Sequence, residues 1–354
     1  MENSSKTKIL CITRAYSKNA GGMERLSYEM IEALQNDPNF DLDVLIHTGK
    51  RSAAPWFMVK SIIPALLKAR KADVIHLGDP LLSKIGWFIK LFYTKPVVVT
   101  VHGLDILYPN LVYRLYLRLY FRNFDKYIAI SQHVKDLLAH YIPIQKIDVI
   151  IPGITDEYYD PAATREQLNL VLHQSVNNKK VLFTVGRLVK RKGHAWFVKN
   201  VLPKLPENVV YAIAGTGPER EAIEAAAYKA SVEDRVILLG KISAETLQVL
   251  LNTIDAFIQP NISVKHDAEG FGLVLLEAAL CERPVFAARL EGMSDAIHDG
   301  KNGILLPSED ATAWVKALTE FLQQRSQPAS AARSYTLSNF VDNGTRIIEY
   351  FLKW

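Results

Sequence analysis

The stretch Glu269-Gly270-Phe271-Gly272-Leu273-Val274-Leu275-Leu276-Glu277 holds two carboxylates eight positions apart, with a glycine-bounded turn and an apolar run between them. Gly272 can take the backbone shape that opens a helix, and Leu273 to Leu280 is made of good helix formers. This predicts Glu269 in the loop ahead of the helix and Glu277 about two turns inside it, roughly 12 Å away if the span is fully helical. Unpaired N–H groups at a helix start can hold an anion, and carboxylates accept hydrogen bonds from hydroxyls. A phosphate flanked by two polyhydroxylated rings would suit such a place, as in a nucleotide sugar. The same residues also describe an ordinary loop-to-helix turn in which Glu277 is a solvated helix residue.

Around this stretch the second half of the chain alternates strand-like and helical patterns. Apolar runs at Lys180–Val185, Val209–Ala214, Val236–Leu239, Ala256–Ile258, Val285–Ala287 and Ile304–Leu306 predict strands, several of them ending in glycine turns. After the first comes Gly186-Arg187-Leu188-Val189-Lys190-Arg191-Lys192-Gly193-His194, after the second Gly215-Thr216-Gly217-Pro218, and after the third Gly240-Lys241-Ile242-Ser243. The segment Asn261–Ala268, just ahead of Glu269, has an unusual composition for such a loop. Residues 152–165, rich in turn formers, mark the connector to the first half.

The first half repeats the plan. Strands are predicted at Lys8–Thr13, Leu42–His47, Asp73–Leu77, Val97–Val101, Tyr127–Ile130 and Asp148–Ile151, with helices at about 57–70, 80–92, 109–123 and 132–140. Asn19-Ala20-Gly21-Gly22 follows the first strand and leads into a helix through Leu34, a geometry that lets backbone amides approach a phosphate or sugar. The three spaced glycines of a dinucleotide fingerprint are absent, so NAD binding is not indicated. His102-Gly103-Leu104-Asp105 follows strand Val97–Val101, at the carboxyl end where open α/β sheets bind ligands. Alternation of this kind in both halves predicts an α/β fold of two Rossmann-like domains facing a cleft. The boundaries expected are 1–152, with the helical tail 340–354 returning to it, and 153–339.

Taken jointly and in order, these segments resemble the retaining, family-4 (group 1) glycosyltransferases of the GT-B fold. The spaced glutamates, His102-Gly103, Arg187 with Lys192, and the turns at Gly21-Gly22, Gly215 to Gly217 and Asn302-Gly303 carry the likeness. The resemblance implies a nucleoside-diphosphate sugar, UDP- or GDP-linked, as donor. Arg187 and Lys192 would neutralise the diphosphate, helped by backbone amides of Gly270, Phe271 and Gly272 with Leu273 beside them. Glu277 would accept from the ribose, Glu269 from the transferred sugar, and the segment with Ile242 would read the base. His102 would meet the sugar and Asp105 the acceptor. No metal or other cofactor is implied, and the chain lacks the Asp-any-Asp pair of the other main glycosyltransferase fold. Two departures from the family pattern, Arg283 before Pro284 and Ser294 where proline is usual, touch loops rather than catalytic groups.

Composition agrees with a globular pair of domains. Of 354 residues, 49% are hydrophobic and 22% charged, and two cysteines, Cys11 and Cys281, exclude a disulfide framework. A polar N-terminus, with no run of the roughly 20 apolar residues a spanning helix needs, points to a cytoplasmic protein without a secretory signal. Residues 1–150 hold 20 Lys and Arg against 13 Asp and Glu, a balance of +7, and the remainder holds 22 against 24, a balance of −2. The basic half suggests an acidic partner such as an anionic membrane or a phosphorylated, lipid-linked or glycan acceptor; nucleic acid is not expected. Arg114, Arg118 and Arg122 form one helical stripe that fits either a lipid interface or plain solvation. A nucleotide-sugar epimerase and a non-catalytic sugar-nucleotide sensor remain the alternatives to a transferase in cell-envelope polysaccharide or glycolipid synthesis.

Overall fold

A computed structural model describes residues 6–17, 21–47, 54–323, 329–340 and 343–354. The chain divides into two compact units, Met1–Gly153 with Asp342–Trp354, and Ile154–Val341.

In the first unit six strands, β1 (Thr7–Thr13), β2 (Phe40–Ile46), β3 (Val74–Leu77), β4 (Val97–Val101), β5 (Lys126–Ala129) and β6 (Ile147–Val149), form a sheet of order β2-β1-β3-β4-β5-β6. All pairings are parallel. Central strands β3 and β4 are buried along their whole length and almost wholly apolar, as strands covered on both faces must be, and their two polar residues, His76 and Thr100, hydrogen-bond each other at 2.8 Å. One face carries helix Gly22–Asn36, whose Met30, Ile31 and Leu34 meet Ile9, Cys11, Val74 and Val98. The C-terminal helix Asn343–Phe351 closes the same core with Ile347, Tyr350 and the fully buried Phe351, spaced three and four apart as a helix face requires. The helical tail is therefore a separate short helix, while Phe340 ends the preceding helix Ala329–Phe340 in the second unit.

Helices on the opposite face break where local chemistry dictates. The expected helix at 57–70 is two, Ala54–Lys60 and Ile62–Ala69, because Pro64 lacks the N–H that a continuous helix would return to Lys60. Asp79 accepts from the Leu81 N–H and starts a 3₁₀ turn at Pro80 ahead of helix Ser83–Phe92. Asn110 accepts from the Tyr113 N–H at 3.0 Å and sets the start of helix Leu111–Tyr120.

The second unit builds β7 (Lys180–Val185), β8 (Val209–Ala214), β9 (Val236–Gly240), β10 (Ala256–Gln259), β11 (Val285–Ala288) and β12 (Ile304–Leu306) into a parallel sheet of order β12-β11-β10-β7-β8-β9. The chain runs outward from β7 to β9, then returns to the other side of β7 with β10. Open α/β sheets place ligands at such a reversal, here at the carboxyl ends of β7 and β10. In the first unit the corresponding reversal lies between β1 and β3.

Candidate functional site

The loops after β7 and β10 meet at that reversal. Gly193 has φ of +68°, and a Cβ there would lie 1.9 Å from the Pro260 carbonyl oxygen, so only glycine lets the two loops close. The 3₁₀ turn Lys190–Lys192 just before it is thereby pressed against the segment 260–269. Arg191 Nε pairs with Asp267 Oδ1 at 2.9 Å, and its Nη1 donates to Glu269 Oε2. Lys192 Nζ lies 2.6 Å from the same oxygen, and Asn261 Nδ2 donates to it at 3.3 Å.

These side chains are nearly dry: 9% exposed for Arg191, 8% for Lys192 and 14% for Glu269. Burial by itself would raise the Glu269 pKa, but the charges of Lys192 and Arg191 outweigh it and hold the carboxyl down at about 2. The Glu269 N–H donates to the carboxylate of Glu291, and the Gly292 N–H donates back to the Glu269 carbonyl at 3.2 Å. Glu291 adopts a left-handed φ of +54°, and its pKa is pushed to about 7, chiefly by burial, with the Glu269 charge adding to it against the hydrogen bond from the Glu269 N–H. Gly292 is needed beside it, since a Cβ would come within 2.0 Å of the Gly270 carbonyl oxygen.

Helix Leu273–Leu280 opens from Gly272 at φ +96°. The amides of Gly270, Phe271 and Gly272 donate to no described protein group, which leaves them available to an anion. Phe271 itself is buried, its ring 6.5 Å from Phe340. Glu277 is 7% exposed, not the solvated helix residue its position alone would permit. Arg333 donates to the Leu280 carbonyl and fixes the far end of the helix.

Of the expected donor-binding residues, Lys192 and Glu269 touch each other, while Arg187 is exposed and pairs with no described residue. Gly215 and Gly217 serve a packing need: Cβ atoms there would fall 1.8 Å from the Gly186 oxygen and 2.3 Å from the Leu188 oxygen. The Gly215 N–H donates to the Gly240 carbonyl at 2.7 Å, which brings the loop carrying Ile242 alongside. Arg191, Asp267, Asn261 and Glu291 had no individual role in the sequence reading. Only the charge density of Lys190-Arg191-Lys192 and the acid within the insert hinted at two of them.

In the first unit His102 and Asp105 form a second buried group. The His102 N–H donates to Asp105 Oδ2 at 2.9 Å, and its Nε2 lies 3.0 Å from the Gly78 carbonyl oxygen. A carbonyl only accepts, so Nε2 carries a proton. Asp105 Oδ1 is buried without a partner among the described residues, and burial raises the carboxyl's pKa against the pull of His102. Asp79 pairs with Arg14 at 3.0 Å across the β1/β3 reversal. Gly21 stands at the N-cap of the helix that Gly22 begins, whereas Asn19 and Ala20 lie outside the described residues.

Comparison with known proteins follows this division. Residues 20–158 match the family described as Glycosyltransferase Family 4, and residues 171–336 match Glycosyl transferases group 1. An uncharacterised glycosyltransferase of Methanocaldococcus jannaschii is 28% identical over 264 residues, 70% of this chain and 66% of its own. The GDP-mannose-dependent alpha-(1-6)-phosphatidylinositol monomannoside mannosyltransferase of Mycolicibacterium smegmatis is 27% identical over 76% of this chain and 73% of its own. The chain thus spans about two thirds to three quarters of these relatives. Among solved structures, Anabaena HepE in complex with UDP and glucose superposes with a TM-score of 0.79 at 20% identity, covering 98% of this chain and 100% of that one. The architecture is GT-B.

Proposed function

The chain belongs to the group 1, family-4 glycosyltransferases, and from that premise we propose a retaining, metal-independent hexosyl- or N-acetylhexosaminyltransferase using a UDP- or GDP-sugar. The acceptor is a glycan or lipid-linked molecule, in cell-envelope polysaccharide or glycolipid synthesis. The carrying observation is the cluster at the β7/β10 reversal: two cations on one carboxylate, beside three uncommitted backbone amides at a helix start. The solved HepE complex with UDP and the GDP-mannose dependence of the mycobacterial relative favour a nucleoside-diphosphate donor.

In this reading Arg187, whose guanidinium is uncommitted, and the amides of Gly270 to Gly272 receive the diphosphate, with Lys192 supplying a second positive charge from beneath. Glu269, held ionised and immobile, accepts from hydroxyls of the transferred sugar, and Glu277 from the ribose. His102 is assigned to the sugar and Asp105 to the acceptor. The acceptor oxygen bonds to the anomeric carbon on the face from which the diphosphate departs. The bond from that carbon to the phosphate oxygen breaks, and the acceptor proton passes to a donor phosphate oxygen.

A thermal-shift screen of UDP-, GDP- and ADP-sugars identifies the donor, since a ligand at a hundred times its dissociation constant adds about 2.7 kcal/mol. Transfer is then measured with and without chelator, and the anomeric configuration of the product is read by NMR. Isomerisation of donor alone would mark an epimerase, and tight binding without turnover across an acceptor panel a sensor. Either result rejects the transferase assignment.

A further inference from the structure

Three helical segments on one face of the first unit share a composition that sugar transfer leaves unexplained. Residues 54–72, 80–96 and 107–122 carry four, three and three Lys or Arg, ten in all, and no Asp or Glu. Ring and hydroxyl contacts tie them together: the Tyr116 hydroxyl donates to the Leu81 carbonyl and reaches Met58 Sδ, and the Trp87 and Tyr120 rings meet edge to face at 5.4 Å. Eleven of the seventeen exposed large hydrophobic residues among those described lie in these segments. Single exposed leucines are ordinary in soluble proteins, but this concentration makes a patch.

Helix Leu111–Tyr120 shows the design most clearly. None of its residues is buried. Tyr113, Tyr116, Leu117 and Tyr120 turn inward, while Leu111 (79% exposed), Leu115 and Leu119 (55%) run up the outer side beside Arg114 and Arg118. Arg114, Arg118 and Arg122 form no ion pair with any described residue. Trp56, 62% exposed, extends the patch, with Lys60 Nζ 5.3 Å from its ring.

We propose that this face of the first unit docks on an anionic lipid bilayer, the aliphatic side chains entering the headgroup boundary and the arginines meeting lipid phosphates. Interleaved aliphatics and cations match an interface that is apolar below and negative above. A second copy of the chain fits poorly, since apposed copies would set cations against cations. A nucleic acid would gain little from leucine side chains, which cannot stack on bases. Among the described residues no helix is long and apolar enough to cross a membrane, so the contact is one that lies on the surface.

The full chain is sedimented with vesicles of phosphatidylcholine alone and of phosphatidylcholine mixed with phosphatidylglycerol, at low and high salt. Pelleting with the mixed vesicles only, weakened by salt, is expected. Replacing Arg114→Ala with Arg118→Ala should cut partitioning about 25-fold, about fivefold per charge removed. Leu115→Ser with Leu119→Ser should abolish the binding that survives high salt. All four side chains are exposed, so the melting point should hold; Trp56→Ser tests the same face if one pair misfolds. Donor-induced thermal shift should be unchanged in every variant, since none alters a residue assigned to the donor, which separates this test from that of the transferase assignment. Equal pelleting with both vesicle types, or wild-type partitioning in both double variants, would overturn the proposal. So would a dimer or a complex with an acidic protein, sensitive to the same variants, in place of vesicle binding.

Discussion

The ammonium of Lys192 lies 2.6 Å from Oε2 of Glu269, an oxygen that also receives Arg191 and Asn261. One carboxylate oxygen thus collects three donors in a nearly dry site. Such a cluster gives little net stability when intact, because desolvating the ions offsets their attraction, but breaking it strands a charge. Replacing Glu269→Gln should therefore cost about 3–5 kcal/mol by the same reasoning, and should lower transfer by more than the loss of folded protein explains. A lowered melting point with normal activity per folded molecule would mark Glu269 as structural alone.

Acidification reads the same cluster. The Glu269 carboxyl has a folded pKa near 2, below its unfolded value, so its contribution is complete above about pH 4.5 and is lost as pH falls toward 2. The shift corresponds to about 3 kcal/mol. Urea denaturation at pH 5 and at pH 3 should show about 2 kcal/mol of this loss in the wild type and not in Glu269→Gln.

Glu291 has the opposite sign. Its folded pKa, near 7, lies above the unfolded value, so between about pH 4.5 and 7 the folded state keeps a proton that the unfolded chain releases. Stability contributed by this group falls as pH rises through that window and is constant above it. A glutamine at 291 can still accept the Glu269 N–H without ionising. Glu291→Gln should be more stable than wild type at pH 8, by about 1–3 kcal/mol, and indistinguishable at pH 4.5. Melting curves at the two pH values decide it; equal curves at pH 8 would refute the burial argument.

Arg187 is exposed and unpaired among the described residues, so Arg187→Ala should move the melting point of the free protein very little, within about 0.5 kcal/mol. It should weaken donor binding or turnover roughly tenfold to a hundredfold, the worth of one charge-assisted contact of about 1.5–3 kcal/mol. Calorimetric titration with the donor checks this. Unchanged donor affinity and turnover would remove Arg187 from the phosphate site.

At Gly193 any side chain is obstructed twice, by φ of +68° and by the Pro260 carbonyl 1.9 Å from a Cβ. Gly193→Ala should destabilise by about 1–3 kcal/mol and pull Lys192 away from Glu269. Loss of the acid-sensitive component together with the fall in melting temperature would tie the two effects to one loop contact.

Much of the architecture was legible because it rests on short-range pattern. β4 and the strands Lys180–Val185, Val209–Ala214 and Ile304–Leu306 coincide with their apolar runs, since a strand covered on both faces is apolar along most of its length. Helix limits were less legible, as at Ser61 and Asn110, where one proline or one capping side chain decides the boundary. Residue types in series were enough to assign Gly272 to a helix start and Glu277 to the helix, because backbone preference is local.

What the chain order could not contain is which oxygen faces which cation. Arg191 and Asp267 are separated by 76 positions, and Glu269 and Glu291 by 22, and each pair meets only because β7 and β10 lie side by side and β11 returns next to them. The sequence alone therefore determined the α/β alternation and where along it the glycines, cations and carboxylates of the candidate site stand. Only the folded chain decided that Lys192 is spent on Glu269 while Arg187 stays open, and that Glu291 titrates near neutrality. Charge and desolvation act through space, at distances set by strand order rather than by position along the chain.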